Sequence, residues 1–398
     1  MESGTRTDPV VTQVFTKRND CRICGKPIEL KLSLGDQYLV DFPKEKDATL
    51  PKAPLELCRC RGCGLLQLGH TVNPDLLYRE FWYRSSVNQT MRDALLDVVQ
   101  HGLQFVPQPR SWLDIGANDG YLLSRVPKDC RTIAVEPALN FAGVLQEHCN
   151  RVVSEYFTGL DEKVDVITSI AMFYDLEDPS KFVGDIAKTL TDEGVWVNQL
   201  NHAPGMLKTN AFDAICHEHL CYYDVPALKE LYGKHGLRII SVGYNEINGG
   251  SVRVVACKIG AHLGFGSTAG TPRTDEDEVH AFAERVQRWK EITSGILYGL
   301  PGPIWGYGAS TKGSTMLQYL DGGGMLVGIA DRNPAKSGRR MVGSWIPITD
   351  EVTMRRARPR HLLVLPWSFR QEFVLREAEL RAKGTTMLFP LPHLEFVL

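Results

Sequence analysis

The stretch Ser111-Trp-Leu-Asp-Ile-Gly-Ala-Asn-Asp-Gly-Tyr-Leu-Leu123 decides the fold of this 398-residue chain. An apolar strand runs into a turn that contains Gly116 and Gly120, and an apolar helix is predicted to follow. Glycines at such a turn let the backbone approach a ligand closely. Glu136, sixteen residues beyond Gly120, ends the apolar run Thr132-Ile-Ala-Val, which is predicted to be a second buried strand. Together these elements predict the start of a Rossmann-like sheet.

The loop between these strands also indicates its cofactor. The dinucleotide pattern GxGxxG is absent, and Asn118 and Asp119 stand in its place. Acidic groups suit a sulfonium and an ammonium better than a pyrophosphate, while Glu136 can accept hydrogen bonds from ribose hydroxyls. We therefore predict S-adenosylmethionine in preference to NAD, held by Asp114, Gly116, Asn118, Asp119 and Glu136.

Further β-rich runs alternate with helical stretches up to about residue 258, which predicts a mostly parallel sheet wrapped by helices. Its fourth strand is predicted to begin at Asp165, and Phe173 in the following loop either lines the cofactor pocket or packs in the core. The last two strands are joined by Asn248-Gly249-Gly250. After Pro303 the runs IWGYGAS, MLVGIAD and HLLVLPW predict a second, smaller α/β domain.

The predicted class is therefore α/β, with a central Rossmann-like methyltransferase domain between an N-terminal zinc-binding domain and a smaller C-terminal Rossmann-like domain. A helical lead-in that includes Phe81 is expected from Asp75 to Phe105, and a helix should follow the acidic run at Asp275. The predicted boundaries are residues 1–72 for the zinc domain, 73–262 for the cofactor domain with its lead-in, 263–298 for a linker and long helix, and 299–398 for the last domain.

Four cysteines form two CxxC pairs near the N-terminus, and a glycine follows each pair. Cys21 and Cys24 are separated by 35 residues from Cys60 and Cys63. Four thiolates at this spacing can surround one tetrahedral zinc ion, although a redox pair is the alternative. Because such a site has no open coordination position, the zinc is predicted to be structural and to brace a small unit that lacks an independent core.

Composition narrows the possible partners. The formal net charge is −2, from 45 basic and 47 acidic side chains, so neither nucleic acid nor an anionic membrane is expected as a partner. The sequence shows no secretory signal and no apolar run of 18 residues, which predicts a cytoplasmic protein. We expect a monomer or a weak oligomer.

The densest group of reactive side chains is Cys216-His217-Glu218-His219. Histidine beside a carboxylate is a general-base arrangement, since imidazole titrates near neutral pH. Metal binding is the alternative, but the spacing differs from the i, i+4 histidines of a zinc-binding helix. Histidines that only cap the backbone are a third possibility. Upstream, the aromatic Tyr83 is a candidate wall of the substrate site.

Seven segments in this order resemble the sugar C-methyltransferases of deoxysugar biosynthesis: CRIC, CRGCGLLQL, YRSSVNQTMR, DIGANDGYLL, CHEHLCYY, NGGSVRV and GYGASTKGST. The resemblance covers nearly the whole chain. It implies zinc in the N-terminal domain, S-adenosylmethionine in the central domain, and a nucleotide-linked 4-ketosugar bound between the central and C-terminal domains. It also implies methylation at C3 of the sugar.

The resemblance implies roles for particular residues. His219 would remove the C3 proton to form an enolate, Glu218 would orient or polarise His219, and Tyr83 would hydrogen-bond the enolate oxygen. Ser251 and Lys312 would contact the substrate or its diphosphate. Tyr222 is a further candidate substrate contact, because it can replace the hydroxyl of a tyrosine that several members carry.

This sequence departs from the family pattern at three positions. Cys216 replaces that tyrosine, Asp175 replaces a frequent histidine, and Asn198 replaces a common glutamate. The cofactor prediction does not depend on these positions, whereas the acceptor does. The alternative function is therefore O- or C-methylation of another nucleotide-linked or small polar molecule. A second alternative is a non-catalytic member that keeps the fold.

Overall fold

The computed structural model describes residues 13–78, 82–264 and 270–398. Phe81 and part of the predicted boundary loop therefore lie outside the described residues. Within these ranges, no helix combines the length and the apolar character needed to cross a bilayer.

The N-terminal unit is built from antiparallel strands. Its elements are β1 (Phe15–Lys17), β2 (Ile28–Tyr38), β3 (Lys52–Cys60), β4 (Leu66–Leu68), β5 (His70–Val72) and α1 (Asp75–Tyr78). β2, β3 and β4 pair consecutively, and β1 pairs with β5. Buried leucines of this unit, including Leu55 and Leu57, belong to the same hydrophobic cluster as the central sheet. The small unit thus shares its core with its neighbours.

The central domain contains a seven-stranded sheet in the order β12-β13-β10-β9-β6-β7-β8. Its elements are α2 (Gln89–Phe105), β6 (Ser111–Ile115), β7 (Arg131–Val135), α3 (Ala142–His148), β8 (Arg151–Val153), β9 (Val164–Ile170), α4 (Pro179–Thr189), β10 (Leu190–Asn201), α5 (Ala203–Lys208), β11 (Cys221–Tyr222), α6 (Val225–Gly233), β12 (Leu237–Asn245) and β13 (Ser251–Lys258). β13 runs antiparallel to both of its neighbours, and the other pairs are parallel. The predicted strands and the final strand pair are confirmed.

Two predicted helices differ from the structure. The lead-in is not one continuous helix, because α1 ends at Tyr78 and α2 begins only at Gln89, where the Asn88 side chain accepts a hydrogen bond from the backbone N–H of Met91. After the cofactor loop, the expected helix is only a 3₁₀ turn at Leu123–Arg125. Pro127 lies two residues beyond that turn, and proline disfavours helical geometry in the residue before it.

The strand β11 joins the central domain to the zinc unit. It pairs antiparallel with β4 and so becomes the edge strand of the N-terminal sheet. The backbone N–H of Leu68 also donates to the carbonyl of Leu220, at 2.9 Å. The segment from Cys216 to His219 directly precedes β11, so this pairing fixes the histidine loop where the two units meet.

The C-terminal domain follows α7 (Glu276–Gly299), the predicted long helix, which Asp275 caps. Its elements are β14 (Ile304–Tyr307), α8 (Thr311–Tyr319), β15 (Leu326–Ala330), β16 (Ile348–Thr349), α9 (Glu351–Ala357), β17 (His361–Val364), α10 (Arg370–Arg376), α11 (Ala378–Ala382), β18 (Thr386–Phe389) and β19 (Glu395–Val397). The strand order is β16-β15-β14-β17-β18-β19, parallel except for the last pair. This is the predicted second Rossmann-like sheet.

Candidate active site and zinc centre

The four thiols of the two CxxC pairs converge on one point. All four sulfur atoms lie within 4.8 Å of one another, with 3.6 Å between Cys21 Sγ and Cys63 Sγ and 3.4 Å between Cys24 Sγ and Cys60 Sγ. A tetrahedral zinc with bonds of about 2.3 Å needs sulfurs about 3.8 Å apart, so the cluster fits the ion. The backbone N–H of Gly62 points at Cys60 Sγ, at 3.3 Å, as expected around thiolates. Cys21, Cys24, Cys60 and Cys63 are therefore placed to hold a structural zinc ion.

The cofactor loop places a carboxylate beneath its backbone. Gly116, Asn118 and Gly120 adopt positive φ angles of 74°, 52° and 77°. This path directs the Asn118 N–H to Glu136 Oε2, at 2.7 Å, while the N–H of Ala138 donates to Glu136 Oε1, at 2.9 Å. Burial raises the pKa of Glu136, and these two hydrogen bonds oppose the rise. Each carboxylate oxygen is held by one N–H and can accept another hydrogen bond, as two ribose hydroxyls would require.

Asp114 lies in β6 directly before this loop. It is 4% exposed, and its Oδ1 accepts a hydrogen bond from Thr168 Oγ1, at 2.7 Å. Burial raises the pKa of Asp114 to about 7, the Thr168 bond opposes this shift, and the charge of Glu136 adds to it. A second acid therefore lies at the base of the loop, close enough to Glu136 for the two charges to interact.

The side chains of Asn118 and Asp119 bind a neighbouring segment of the protein. Asp119 Oδ1 accepts from Ser85 Oγ at 2.8 Å, and its Oδ2 accepts from the Ser86 N–H at 3.0 Å. Asn118 Nδ2 donates to the carbonyl of Tyr83, also at 3.0 Å. Both side chains were predicted to contact the cofactor directly. In this structure they bind the Tyr83–Ser86 segment, and their contact with the cofactor stays a prediction.

Phe173 belongs to the core, so its prediction as a cofactor contact is wrong. Its ring is 0% exposed. It packs against four other aromatic rings at centroid distances of 5.1 to 6.1 Å, those of Phe182, Trp196, Tyr223 and Tyr232. An apolar ring gains more from this cluster than from an open pocket wall.

His219 is half-buried and has a defined orientation. Its Nδ1 contacts the carbonyl of Ala214 at 2.8 Å, and a carbonyl accepts only, so Nδ1 carries the proton and Nε2 bears the lone pair. The Tyr174 ring packs against the imidazole at a centroid distance of 4.3 Å. Burial, and then the charge of Lys312, lowers the pKa of His219 to about 3. The imidazole is therefore neutral at neutral pH.

Glu218 does not make the orienting contact predicted for it. Ala214 supplies that hydrogen bond, and Glu218 Oε2 is buried without a hydrogen-bond partner among the described residues. The Cys216 thiol hydrogen-bonds the Glu218 side chain, and Tyr78 donates to the Glu218 backbone carbonyl at 3.0 Å. Burial raises the pKa of Glu218. His217, the other histidine of this segment, is turned away and contacts the carbonyl of Ala53 at 2.9 Å.

The predicted substrate residues differ in their accessibility. Tyr83 is 45% exposed, whereas Tyr222 is 3% exposed and its hydroxyl donates to the carbonyl of Ala214 at 3.4 Å. Tyr222 therefore supports the carbonyl that orients His219. Ser251 is also buried, with its hydroxyl bonded to the carbonyl of Ile247 at 2.8 Å.

Lys312 links the C-terminal domain to the histidine loop. Its Nζ donates to the carbonyl of Asn248 at 2.8 Å, and its charge acts on His219. A second link joins Trp367 Nε1 to Asp213 Oδ2, at 2.8 Å. These contacts join the C-terminal domain to the central domain near the segment that holds His219. Trp367 and Asp213 were not predicted, because nothing in their sequence neighbourhood indicates a contact 154 residues apart.

Of the three departures from the family pattern, two lie beside His219 and one does not. Cys216 and Asp175 interact electrostatically with Glu218. Asn198 is 0% exposed and lies within β10, where its Oδ1 accepts from Ser169 and its Nδ2 donates to Tyr232. The amide of Asn198 is therefore satisfied inside the core.

Three family models match consecutive parts of the chain. A zinc-binding domain model matches residues 21–78, a methyltransferase domain model matches residues 83–242, and a model of the C-methyltransferase C-terminal domain matches residues 246–392. Over 94% of its length, the chain is 27% identical to C-methyltransferase NovU of Streptomyces niveus, and the match covers 96% of that protein.

Similar solved structures include an S-adenosylmethionine-dependent methyltransferase from Clostridium acetobutylicum, with 12% identity and a TM-score of 0.36 over 42% of this chain and 92% of that one. Another is the 1,6-didemethyltoxoflavin-N1-methyltransferase of Burkholderia thailandensis, with 15% identity and a TM-score of 0.36 over 42% of this chain and 80% of that one. The three domain models and the full-length relative show that the chain is an S-adenosylmethionine-dependent methyltransferase that carries an N-terminal zinc-binding domain and is similar to C-methyltransferases.

Proposed function

We propose that this enzyme methylates C3 of a nucleotide-linked 4-ketosugar. The observation that carries the proposal is the tautomer of His219, whose Nδ1–H is bound by Ala214 so that the basic Nε2 faces away from that carbonyl. The relative NovU is named a C-methyltransferase, and carbon methylation requires a base that removes a C–H proton. A ketone at C4 acidifies the proton at C3, so a neutral imidazole is a chemically suitable base.

The cofactor would be held by the loop between β6 and β7. Glu136 would accept hydrogen bonds from the ribose hydroxyls. Gly116, which has no Cβ, would let the cofactor approach the loop backbone closely. Asp114 and Asp119 would add negative charge near the cationic end of the ligand, with Asp119 acting while bound to Ser85. S-adenosylmethionine supplies an electrophilic methyl group when bound. All of the other groups in the reaction come from this chain or from the acceptor.

The acceptor would lie between the central and C-terminal domains. We propose that the central domain ends at residue 262 and that the C-terminal domain begins at residue 299, after the linker and long helix. His219 Nε2 would take the C3 proton, and the hydroxyl of Tyr83, a residue that is 45% exposed, would hydrogen-bond the oxygen that gains charge. Lys312, a cation at the cleft, would face the diphosphate beside Ser251. Tyr222 would keep Ala214, and through it His219, in place. Glu218 would polarise the site beside His219, while Ala214 orients the imidazole.

Hydrogen exchange tests the acceptor directly. The zinc-loaded enzyme would be incubated in deuterated water with a set of nucleoside diphosphate 4-ketosugars and S-adenosylhomocysteine in place of the methyl donor. We expect deuterium to enter C3 of at least one sugar, as seen by NMR. If no ketosugar exchanges, methylation of another nucleotide-linked or small polar acceptor, at oxygen or carbon, becomes the better account.

A further inference from the structure

Two acidic residues, Asp175 and Glu218, each have one carboxyl oxygen that lacks a hydrogen-bond partner. Asp175 follows Tyr174, whose ring packs against His219, and Glu218 precedes His219 in the chain. Asp175 Oδ1 and Glu218 Oε2 are both buried, and neither makes a hydrogen bond to any described residue. Buried polar oxygens in native proteins are normally hydrogen-bonded. Two such atoms in the segments that pack around His219 therefore indicate contacts that a ligand would complete.

The groups around the pair provide no neutralising cation. The groups that interact electrostatically with it are the hydroxyls or thiols of Tyr78, Tyr174, Cys216 and Tyr222. His219 is adjacent in sequence and is held neutral. Lys312 acts on His219 and Cys216 but is bonded to the carbonyl of Asn248. Within the described ranges, no salt bridge reaches Asp175 or Glu218.

Two carboxylates in one buried region cannot both ionise easily, because each charge is poorly solvated and repels the other. Burial, followed by the charge of Glu218, holds the pKa of Asp175 well above its ordinary range. Burial also raises the pKa of Glu218. At neutral pH the pair should therefore retain one proton.

We propose that Asp175 and Glu218 together hold one proton, so that one of them presents a neutral carboxyl group to the carbonyl oxygen of the acceptor. The inference rests on the proposed function for its substrate. It gives a role as hydrogen-bond donor to Asp175, which stands where the family frequently has a histidine. A protonated carboxyl group in an apolar site can donate a strong hydrogen bond to an oxygen that gains charge.

His219 Nε2 would take the proton from C3, the C–H electron pair would become the π bond between C3 and C4, and the π electrons of the C4 carbonyl would move to its oxygen. The carboxyl proton stabilises that oxygen. The C3–C4 π electrons would then form the bond from C3 to the methyl carbon, while the methyl–sulfur bond breaks and its electron pair stays on sulfur, which leaves S-adenosylhomocysteine. The electrons on oxygen would re-form the ketone, and the carboxyl pair would keep its proton. His219 then releases its proton to solvent.

Infrared spectroscopy tests the pair without any substrate. In zinc-loaded enzyme at pH 7, the difference spectrum of wild type minus Asp175→Asn should show the C=O stretch of a protonated carboxyl group, which shifts in deuterated water. Asp185→Asn is the matched control, because the buried Asp185 is paired with Lys181 at 2.7 Å and should contribute no such band. If the band is absent from the Asp175 difference spectrum while circular dichroism shows intact folding, the proposal that Asp175 and Glu218 hold a proton at pH 7 is wrong.

The exchange reaction tests the donor role. Asp175→Asn keeps a neutral N–H donor and should exchange C3 deuterium at a rate close to wild type, whereas Asp175→Leu should be slower by about 100-fold. Glu218→Gln removes the charge that raises the pKa of Asp175, so the alkaline decline of the rate should move to lower pH. If Asp175→Asn is as slow as Asp175→Leu, or if the alkaline limb stays in place, the donor role is wrong. Presence of the infrared band together with no exchange by wild type would retain the pair and reject the ketosugar.

Discussion

The cofactor loop after β6 and the glycine loop after β14 follow similar backbone paths but carry different charges. Gly116 N–H donates to Val135 at 2.8 Å, and Gly308 N–H donates to Ala330 at 2.7 Å. In each loop a further N–H binds the carboxylate that ends the next strand. Asn118 donates to Glu136 and Ala309 donates to Asp331, both at 2.7 Å.

The difference lies in what surrounds each carboxylate. Asp331 faces Lys336, whose Nζ is 3.7 Å away and also donates to Ala309. Among the described residues no cation pairs with Glu136, and Asp114 lies beneath its loop where the C-terminal sheet has Gly306. A shared backbone path therefore does not define a cofactor. The central loop has Glu136 and Asp114, whose acidic groups suit a positively charged ligand. In the C-terminal loop, the positive charge of Lys336 balances the negative charge of Asp331.

The largest expected effect concerns the carboxylate itself. Glu136→Ala removes the acceptor for two ribose hydroxyls, and charged hydrogen bonds contribute about 1.5–3 kcal/mol each, so affinity for S-adenosylmethionine should fall about 100-fold. Asp331→Ala, the matched change, should leave affinity within about twofold, because distant sites act independently. Isothermal calorimetry measures both. Equal losses in the two variants would show that the comparison is wrong.

The second prediction concerns the space around the two glycines. A Cβ added at Gly308 would overlap Pro366, a rigid ring, whereas one at Gly116 would lie 3.2 Å from the flexible Met172 side chain. Both glycines have positive φ, so both changes cause backbone strain. Gly308→Ala should therefore destabilise the protein by about 2 kcal/mol more than Gly116→Ala. Urea unfolding of the zinc-loaded variants provides the test, and the opposite order would contradict it.

The smallest effect concerns Asp114 and pH. Burial raises the pKa of Asp114 to about 7 in the folded protein, while the unfolded chain has a value near its ordinary one of about 3.9. Between these values the folded state binds more protons, so stability falls as pH rises, by about 1 kcal/mol per pH unit. Asp114→Asn cannot titrate and should lack this decline. Parallel slopes for wild type and variant between pH 5 and pH 7 would refute it.

The fold was largely predictable because buried strands such as β6 and β9 are short runs rich in apolar and β-branched residues, and each begins or ends at a recognisable turn. The exceptions are local. The lead-in is interrupted because Ser85 and Ser86 bind Asp119, a contact that helical periodicity cannot reveal. The short strand β11 escapes detection because its two residues are strand-like only through pairing with β4.

The site was predictable where residue type determines chemistry, as for the four cysteines and for the carboxylate of Glu136 at the end of a strand. It was not predictable where a backbone group performs the role. The carbonyl of Ala214 orients His219, and any residue type could supply a carbonyl. Phe173 was ambiguous because a phenylalanine after a strand can face either a pocket or the core, and only the surrounding aromatic rings decide.

The most direct test of the account is the turnover of His219→Ala at saturating S-adenosylmethionine with the ketosugar that exchanges best. General-base catalysis contributes about 10²–10⁴-fold, so methyl transfer should fall at least about 100-fold while calorimetry shows unchanged cofactor affinity. Turnover close to wild type would contradict the assignment of His219 as the base, and with it the proposed route to carbon methylation.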